Sequence, residues 1–156
     1  LRYDVLGSTN TNDGDATATT ATNPVANTLM AALPSDLRAV MQPMTIYTDN
    51  TGGGSDNASY VTKTTDYLPL LAEYEIFGTR TYANSAEKNY QAQYAYYSAG
   101  NSKVKYRHSA TGSTAWWWER SPYYGSSLAF CSVSTGGNAH YYGAWYSYGV
   151  APAFSV

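Results

Sequence analysis

The side chains able to do covalent chemistry are few and scattered. Glu73 and Glu75 stand two residues apart, a spacing that aligns side chains on a strand and turns them apart on a helix. They sit in residues 66–78 (DYLPLLAEYEIFG), which read as an apolar strand running into a helical turn halted by Gly78. No nucleophile or water-positioning group stands beside them, so core packing is preferred to an acid–base pair. Asp49, Asp56 and Asn57 could hold calcium only if the fold gathered them, and their spacing is not that of a calcium loop. The run GGGSD at 52–56 lacks the Gly-Lys-Ser/Thr ending of a phosphate loop, and no helix follows it. Cys131 is the single cysteine, which rules out an internal disulfide or a Cys-based zinc site and leaves a small buried hydrophobe. His140 has no second metal ligand at suitable spacing, and no Ser-His-Asp set has a nucleophile-turn context. No catalytic residue, metal or cofactor is therefore expected, and the chain is not expected to be an enzyme.

Recognition is the chemistry that the C-terminal stretch does offer. Residues 121–156 contain no Lys, Arg, Asp, Glu, Gln or Met. Residues 1–120 hold four Lys, four Glu, three Gln and three Met, a density that would place about four of these types in the last 36 positions. What fills the stretch is Tyr, Ser, Gly, Ala, Asn and His around a few Trp, Phe and Val. Antibody recognition loops use the same vocabulary: tyrosine gives a large amphipathic contact at low entropy cost, and small residues adapt around it.

The bounds fit a binding module. A chain of 156 residues suits one domain with a core, plus a short extension. The net charge of -2 and 13% charged residues give no basic footprint for nucleic acid and no polybasic membrane patch. No apolar run approaches the ~18 residues of a membrane span. The chain opens at Leu1 with no basic and apolar leader, which reads as an excised or truncated piece with no signal peptide in view.

Several elements must position that stretch. Residues 1–22 include the small, polar, aperiodic GSTNTNDGDATATTAT, read as a linker or partly disordered lead-in to a domain at 23–156. Asn23-Pro24 opens a short helix with Val25, Leu29 and Leu33 on one face, ended by Pro34. Ser35-Asp36 opens a second helix carrying Leu37, Val40 and Met41. Residues 44–48 and 59–65 are β-branched and aromatic, and read as a hairpin with a long flexible tip. Asn84 with Glu87 predicts a capping box, and Gly100 a C-terminal cap, for a helix that lines up Ala86, Tyr90, Tyr94 and Tyr97 toward the core. Residues 103–108 (KVKYRH) predict a short strand whose basic residues face solvent or protect an edge. In Trp116-Trp117-Trp118, strand geometry points Trp117 away from its neighbours, and at least one indole should anchor the core. Glu119 and Arg120 are expected to pair or hydrogen-bond so as to hold the loops.

The ordered series LLAEYEIFG at 70–78, WWWERSP at 116–122, FCSV at 130–133 and GVAPAF at 149–154 resembles a C-type lectin-fold family of bacterial and prophage proteins. Several members are variable proteins of diversity-generating retroelements. The resemblance covers about residues 60–156. It implies an α+β, C-type lectin-like fold, with short helices packed on a mostly antiparallel sheet and a last segment, here 116–156, displaying diversified residues on one exposed surface. Diversification there replaces adenines in template codons, usually those of Asn, so such positions cannot hold Lys, Glu, Gln, Met or Trp.

Carried over to this chain, the resemblance implies ligand contacts from Tyr123, Tyr124, Ser126, Ser127, Ala129, Ser132, Ser134, Asn138, His140, Tyr141, Tyr142, Ala144, Tyr146 and Tyr148. Phe130, Cys131 and Val133 are expected to point inward between them. Trp145 departs from the pattern and is either fixed scaffold or the product of a different codon. The Glu-Pro-Asn or Gln-Pro-Asp and Trp-Asn-Asp motifs of calcium-dependent sugar binders are absent, and the lone Cys131 cannot supply the cysteine pair of a formylglycine-generating oxidase. The expected partner is a protein or glycan on a target surface, met from a virion or cell surface, with the oligomeric state left open. The alternative is a structural display domain without a dedicated ligand.

Overall fold

The computed structural model describes residues 29–156. The expected lead-in at 1–22 and the opening of the first helix at Asn23, Pro24 and Val25 lie outside them. The architecture is α+β, with few short helices and mostly antiparallel sheets, and no helix among the described residues is long and apolar enough to cross a membrane. The chain forms two compact units, whose described parts are residues 29–46, 63–69 and 152–156, and residues 47–62 and 70–151. β1 (Met44–Asp49) and β2 (Val61–Asp66) pair in a two-stranded sheet, and each strand runs through both units.

In the first unit, α1 (Leu29–Ala32) and α2 (Ser35–Val40) gather Met30 and Met41 around Leu68, with Leu33, Leu37 and Tyr67 packed against them. Val40 faces solvent instead. The C-terminal segment is tied back by backbone hydrogen bonds, Ala153 N–H to Pro69 O at 2.8 Å and Gln42 N–H to Ser155 O at 2.9 Å.

In the second unit, α3 (Glu73–Phe77) ends at Gly78, whose φ of 69° is the left-handed conformation expected of a glycine stop. A four-stranded sheet follows, in the order β7-β6-β5-β8: β5 (Trp117–Pro122), β6 (Ala129–Val133) and β7 (Ala139–Gly143) are antiparallel, and β8 (Gly149–Val150) is parallel to β5. Trp117 and Val133 are register partners and form a core with Ile76 and Tyr97. Trp117 thus faces away from Trp116 and Trp118, as strand alternation requires.

Three expectations give way. The single helix from Asn84 to Gly100 is instead a 3-10 turn over Ser85–Asn89 and a separate α4 (Ala95–Ser98). Asn84 does cap, accepting from Ala86 N–H, but the Glu87 carboxylate turns inward to Asp49 N–H and Ser121 Oγ. Gln91 and Gln93 hold the intervening chain extended by donating to Tyr47 O and Ile76 O. Of the predicted stripe only Ala86 and Tyr97 are buried; Tyr90 is exposed and stacks on Tyr47 at 4.6 Å, and Tyr94 is exposed too. The hairpin tip at 49–57 is anchored rather than free: Asp49 Oδ1 accepts from Thr51 N–H and Gly52 N–H, and Asn84 donates to Asp49 Oδ2 and Asn57 O. Finally, the strand within 103–108 shortens to β3 (Lys105–Arg107) and pairs with an unforeseen β4 (Ala110–Ala115), a largely exposed ribbon.

Candidate functional site

A buried polar network ties β5 to β1 and α3. Arg120 lies on β5, and both its terminal nitrogens donate to the Glu75 carboxylate at 2.6 Å, so its partner is Glu75 and not Glu119. It also donates to Thr48 Oγ1 at 2.7 Å and Leu70 O at 2.8 Å. Glu73 accepts from the backbone N–H groups of Thr81, Tyr82 and Ala83, which shapes the loop that presents Tyr82. Both glutamates are therefore engaged in different structural tasks. Glu119 is 1% exposed and neither of its carboxyl oxygens has a hydrogen-bond partner. Burial, then the nearby Glu73 and Glu87, push its carboxyl well above the usual carboxylate range. Cys131 is buried, as expected, and burial likewise pushes its thiol up.

Rings from several stretches of chain meet in two linked groups. Tyr123 stacks on Tyr141 at 3.9 Å, and Tyr82 meets both edge-on at 6.0 and 5.0 Å. Tyr124 sits edge-on to Tyr123 at 5.3 Å, under the Arg80 guanidinium at 4.1 Å. A second group forms a column in which Trp116, Tyr148, Tyr146 and Trp145 follow one another at 5.5, 5.8 and 6.0 Å with interplanar angles of 19°, 25° and 33°. Tyr142 meets Trp116, Tyr146 and Tyr148 edge-on. His140 stacks on Tyr142 at 5.0 Å and reaches Tyr82 at 6.3 Å, linking the two groups. Aromatic pairs add about 0.5–1.5 kcal/mol each beyond area burial, so mutual contact holds the rings in place.

Sheet register explains this arrangement. Trp118, Ser132 and His140 are paired across β5, β6 and β7, as are Phe130 and Tyr142, so one face carries the His140 and Tyr142 rings, whereas Tyr141 pairs with Cys131 and leaves the edge strand β7 with opposite parity, toward Tyr82 and Tyr123. The other face carries Trp117, Val133 and Cys131 toward the core. Phe130 therefore shares a face with Ser132 and is half-buried, instead of pointing inward with Cys131 and Val133.

Of the expected contact residues, Tyr141, Tyr146, Asn138, Ala144 and Ser127 are exposed, and Tyr123, Tyr124, Ser126, His140, Tyr142 and Tyr148 are half-buried. Ala129, Ser132 and Ser134 are corrected: all three are buried. Ala129 has the strand parity of Cys131 and Val133 and so shares their inward face. Ser132 lies between the ring-bearing Trp118 and His140, and Ser134 closes the β6–β7 turn by accepting from Asn138 N–H at 3.1 Å. Trp145 is 72% exposed.

Sequence reasoning missed Tyr82 and Arg80, and treated Trp116 purely as scaffold. The position of Tyr82 depends on the distant Glu73 carboxylate, which leaves no local signal; for Trp116, its strand parity opposite Trp117 was the usable clue. The face carries no formal charge from residues 121–156. Burial, followed by neighbouring tyrosines, raises the Tyr148 phenol, and Tyr123 is raised too, so both stay neutral near pH 7. Among the described residues no three His, Cys, Asp or Glu side chains gather as a metal ion would need. Asp49, Asp56 and Asn57 are engaged within the protein: Asp49 by the tip backbone, Asp56 by Arg80 at 3.2 Å, and Asn57 by Ser59 N–H.

No curated protein and no solved structure matches the chain. One family pattern does, over residues 22–156, and the chain accordingly belongs to the family described as a domain of unknown function, DUF6273.

Proposed function

We propose that this is a ligand-binding domain whose C-terminal segment displays a diversified, tyrosine-rich recognition surface on a C-type lectin-like fold, used by a virion or cell-surface protein to select its target. One observation carries the reading. Tyr82, Trp116, Tyr123, Tyr141, Tyr142 and Tyr146, drawn from separate stretches, converge in a linked set of rings. Clustered aromatics with open edges mark interaction sites, and rings held by one another lose little entropy on binding. The vocabulary of residues 121–156 supports diversification, because the exposed candidates hold residues that altered Asn codons can encode. The test is capture of candidate target cells by immobilised protein. Serine at Tyr141, Tyr142 and Tyr146 together should abolish capture with folding intact; capture unchanged by the triple variant rules the reading out.

A display role without a dedicated ligand is the second reading. It is favoured by the degree to which the rings spend their faces on one another, as Tyr123 and Tyr141 do at 3.9 Å. It predicts that no candidate target cell is captured, and that the triple serine variant differs from the parent only in stability.

A further inference from the structure

Gly143 and Trp145 stand two residues apart at the end of β7. A Cβ on Gly143 would lie 2.3, 2.4 and 2.6 Å from Cη2, Cζ2 and Cε2 of the Trp145 indole. Gly125 stands in the same relation to Tyr123, where a Cβ would lie 2.6 Å from both Cζ and Oη. Neither glycine has a positive φ, so the backbone does not demand glycine at either place; the ring resting on it does. The Trp145 indole is thereby seated on the strand backbone and flanked by Tyr146, yet it remains 72% exposed. An exposed side chain normally gains entropy by moving, whereas this one is held with a broad surface open to solvent.

The surroundings restrict what could lie on that surface. The nearest chain, residues 121–156, offers no carboxylate to neutralise a cation and no Lys or Arg to neutralise an anion. Arg80 is occupied by Asp56 and the Tyr124 ring. Within the ring groups most members are half-buried in mutual contacts, and Trp145 and Tyr146 are the two most open. A standard protein interface needs about 800 Å² per partner; one indole and its neighbour match a ligand the size of a single ring. Aromatic faces carry partial negative charge, and the axial C–H bonds of a pyranose present a flat, weakly positive, uncharged surface ringed by hydroxyls. Those hydroxyls match Tyr and Ser side chains, which both donate and accept.

We infer that Trp145, seated on Gly143, is a stacking platform for a hexopyranose unit of a neutral glycan, bound without calcium. The inference rests on the reading that the ring-rich face binds a ligand, and it makes Gly143 a positioning residue. Preorganisation of the indole removes the ordering cost that a mobile side chain would incur on binding.

Trp145 is the most exposed of the four tryptophans, since Trp117 and Trp118 are buried and Trp116 half-buried, so iodide quenching of indole fluorescence reports mainly on it. The protein is titrated with cellohexaose, maltohexaose, laminarihexaose and mannohexaose, with and without a calcium chelator, and with the anionic hyaluronan hexamer as contrast. At least one neutral hexamer should shield the indole, indifferent to chelator. Trp145→Ala should abolish binding as read by calorimetry, and Gly143→Ala should weaken it about tenfold or more while leaving the thermal midpoint nearly unchanged. Absence of shielding by all four neutral hexamers at about 10 mM, shielding by hyaluronan alone, or unaltered affinity in both variants overturns the proposal. Cell capture that still depends on Tyr141, Tyr142 and Tyr146 would then leave the binding face standing without the sugar platform.

Discussion

Replacing Arg120 with alanine should unsettle the whole second unit. Arg120 and Glu75 are both almost fully buried, and the guanidinium makes two 2.6 Å bonds to that carboxylate besides those to Thr48 and Leu70. Alanine leaves the Glu75 charge inside the protein with only Ala72 N–H as a donor. Removing one member of a buried pair costs about 3–5 kcal/mol. Against a total stability of about 5–15 kcal/mol, and at about 2–4 °C per kcal/mol for a chain this long, the midpoint should fall by roughly 6–20 °C. Thermal and urea denaturation followed by circular dichroism would measure it. Glu75→Met combined with Arg120→Met should recover most of the loss, because replacing both charges leaves neither orphaned. A shift below about 2 °C for Arg120→Ala would refute the claim that this pair anchors the network.

Two further expectations follow from the same unit and its loops. Glu119 prefers its protonated form in the fold, so the stability it contributes is full below the unfolded carboxylate pKa of about 4.3 and is lost as pH rises through its raised folded value. Denaturation at pH 4, 6 and 8 should therefore show Glu119→Gln gaining on the parent as pH rises, and a pH-independent difference would contradict the assignment. Gly54 has a φ of 67°, and a Cβ there would lie 2.8 Å from Ser127 N, a backbone atom that cannot swing aside. Gly54→Ala should cost about 1–3 kcal/mol and perturb amide resonances around Ser126 and Ser127, whereas a neutral effect would mean the tip does not brace that loop.

What the sequence made legible was governed by local rules. Strand alternation placed Trp117 in the core opposite Trp116 and Trp118, and the glycine stop at Gly78 follows from its left-handed backbone. The β1–β2 hairpin followed from its β-branched runs. What escaped depends on partners far along the chain. Arg120 pairs 45 residues back with Glu75, while adjacency pointed to Glu119. Glutamines 91 and 93 spend their side chains on Tyr47 O and Ile76 O, which breaks a helix that composition favours. Much of the ring cluster was readable as composition, since Tyr141, Tyr142, Tyr146 and Tyr148 are linked through His140 and one another. Ala129, Ser132 and Ser134 are buried for reasons that composition does not carry: Ala129 shares the inward parity of Cys131, Ser132 lies between Trp118 and His140, and Ser134 closes a turn.

The central claim is that the ring-rich face is a diversified binding surface, and sequencing around the gene tests it most directly. The account predicts a near-repeat of the segment encoding residues 116–156, with adenines at codons of surface positions such as Tyr123, Asn138, Tyr141, Tyr142 and Tyr146, and sister genes that differ chiefly there. A neighbourhood without such a repeat, or sister genes whose differences fall on buried positions such as Trp117, Cys131 and Val133 as often as on the rings, would contradict it.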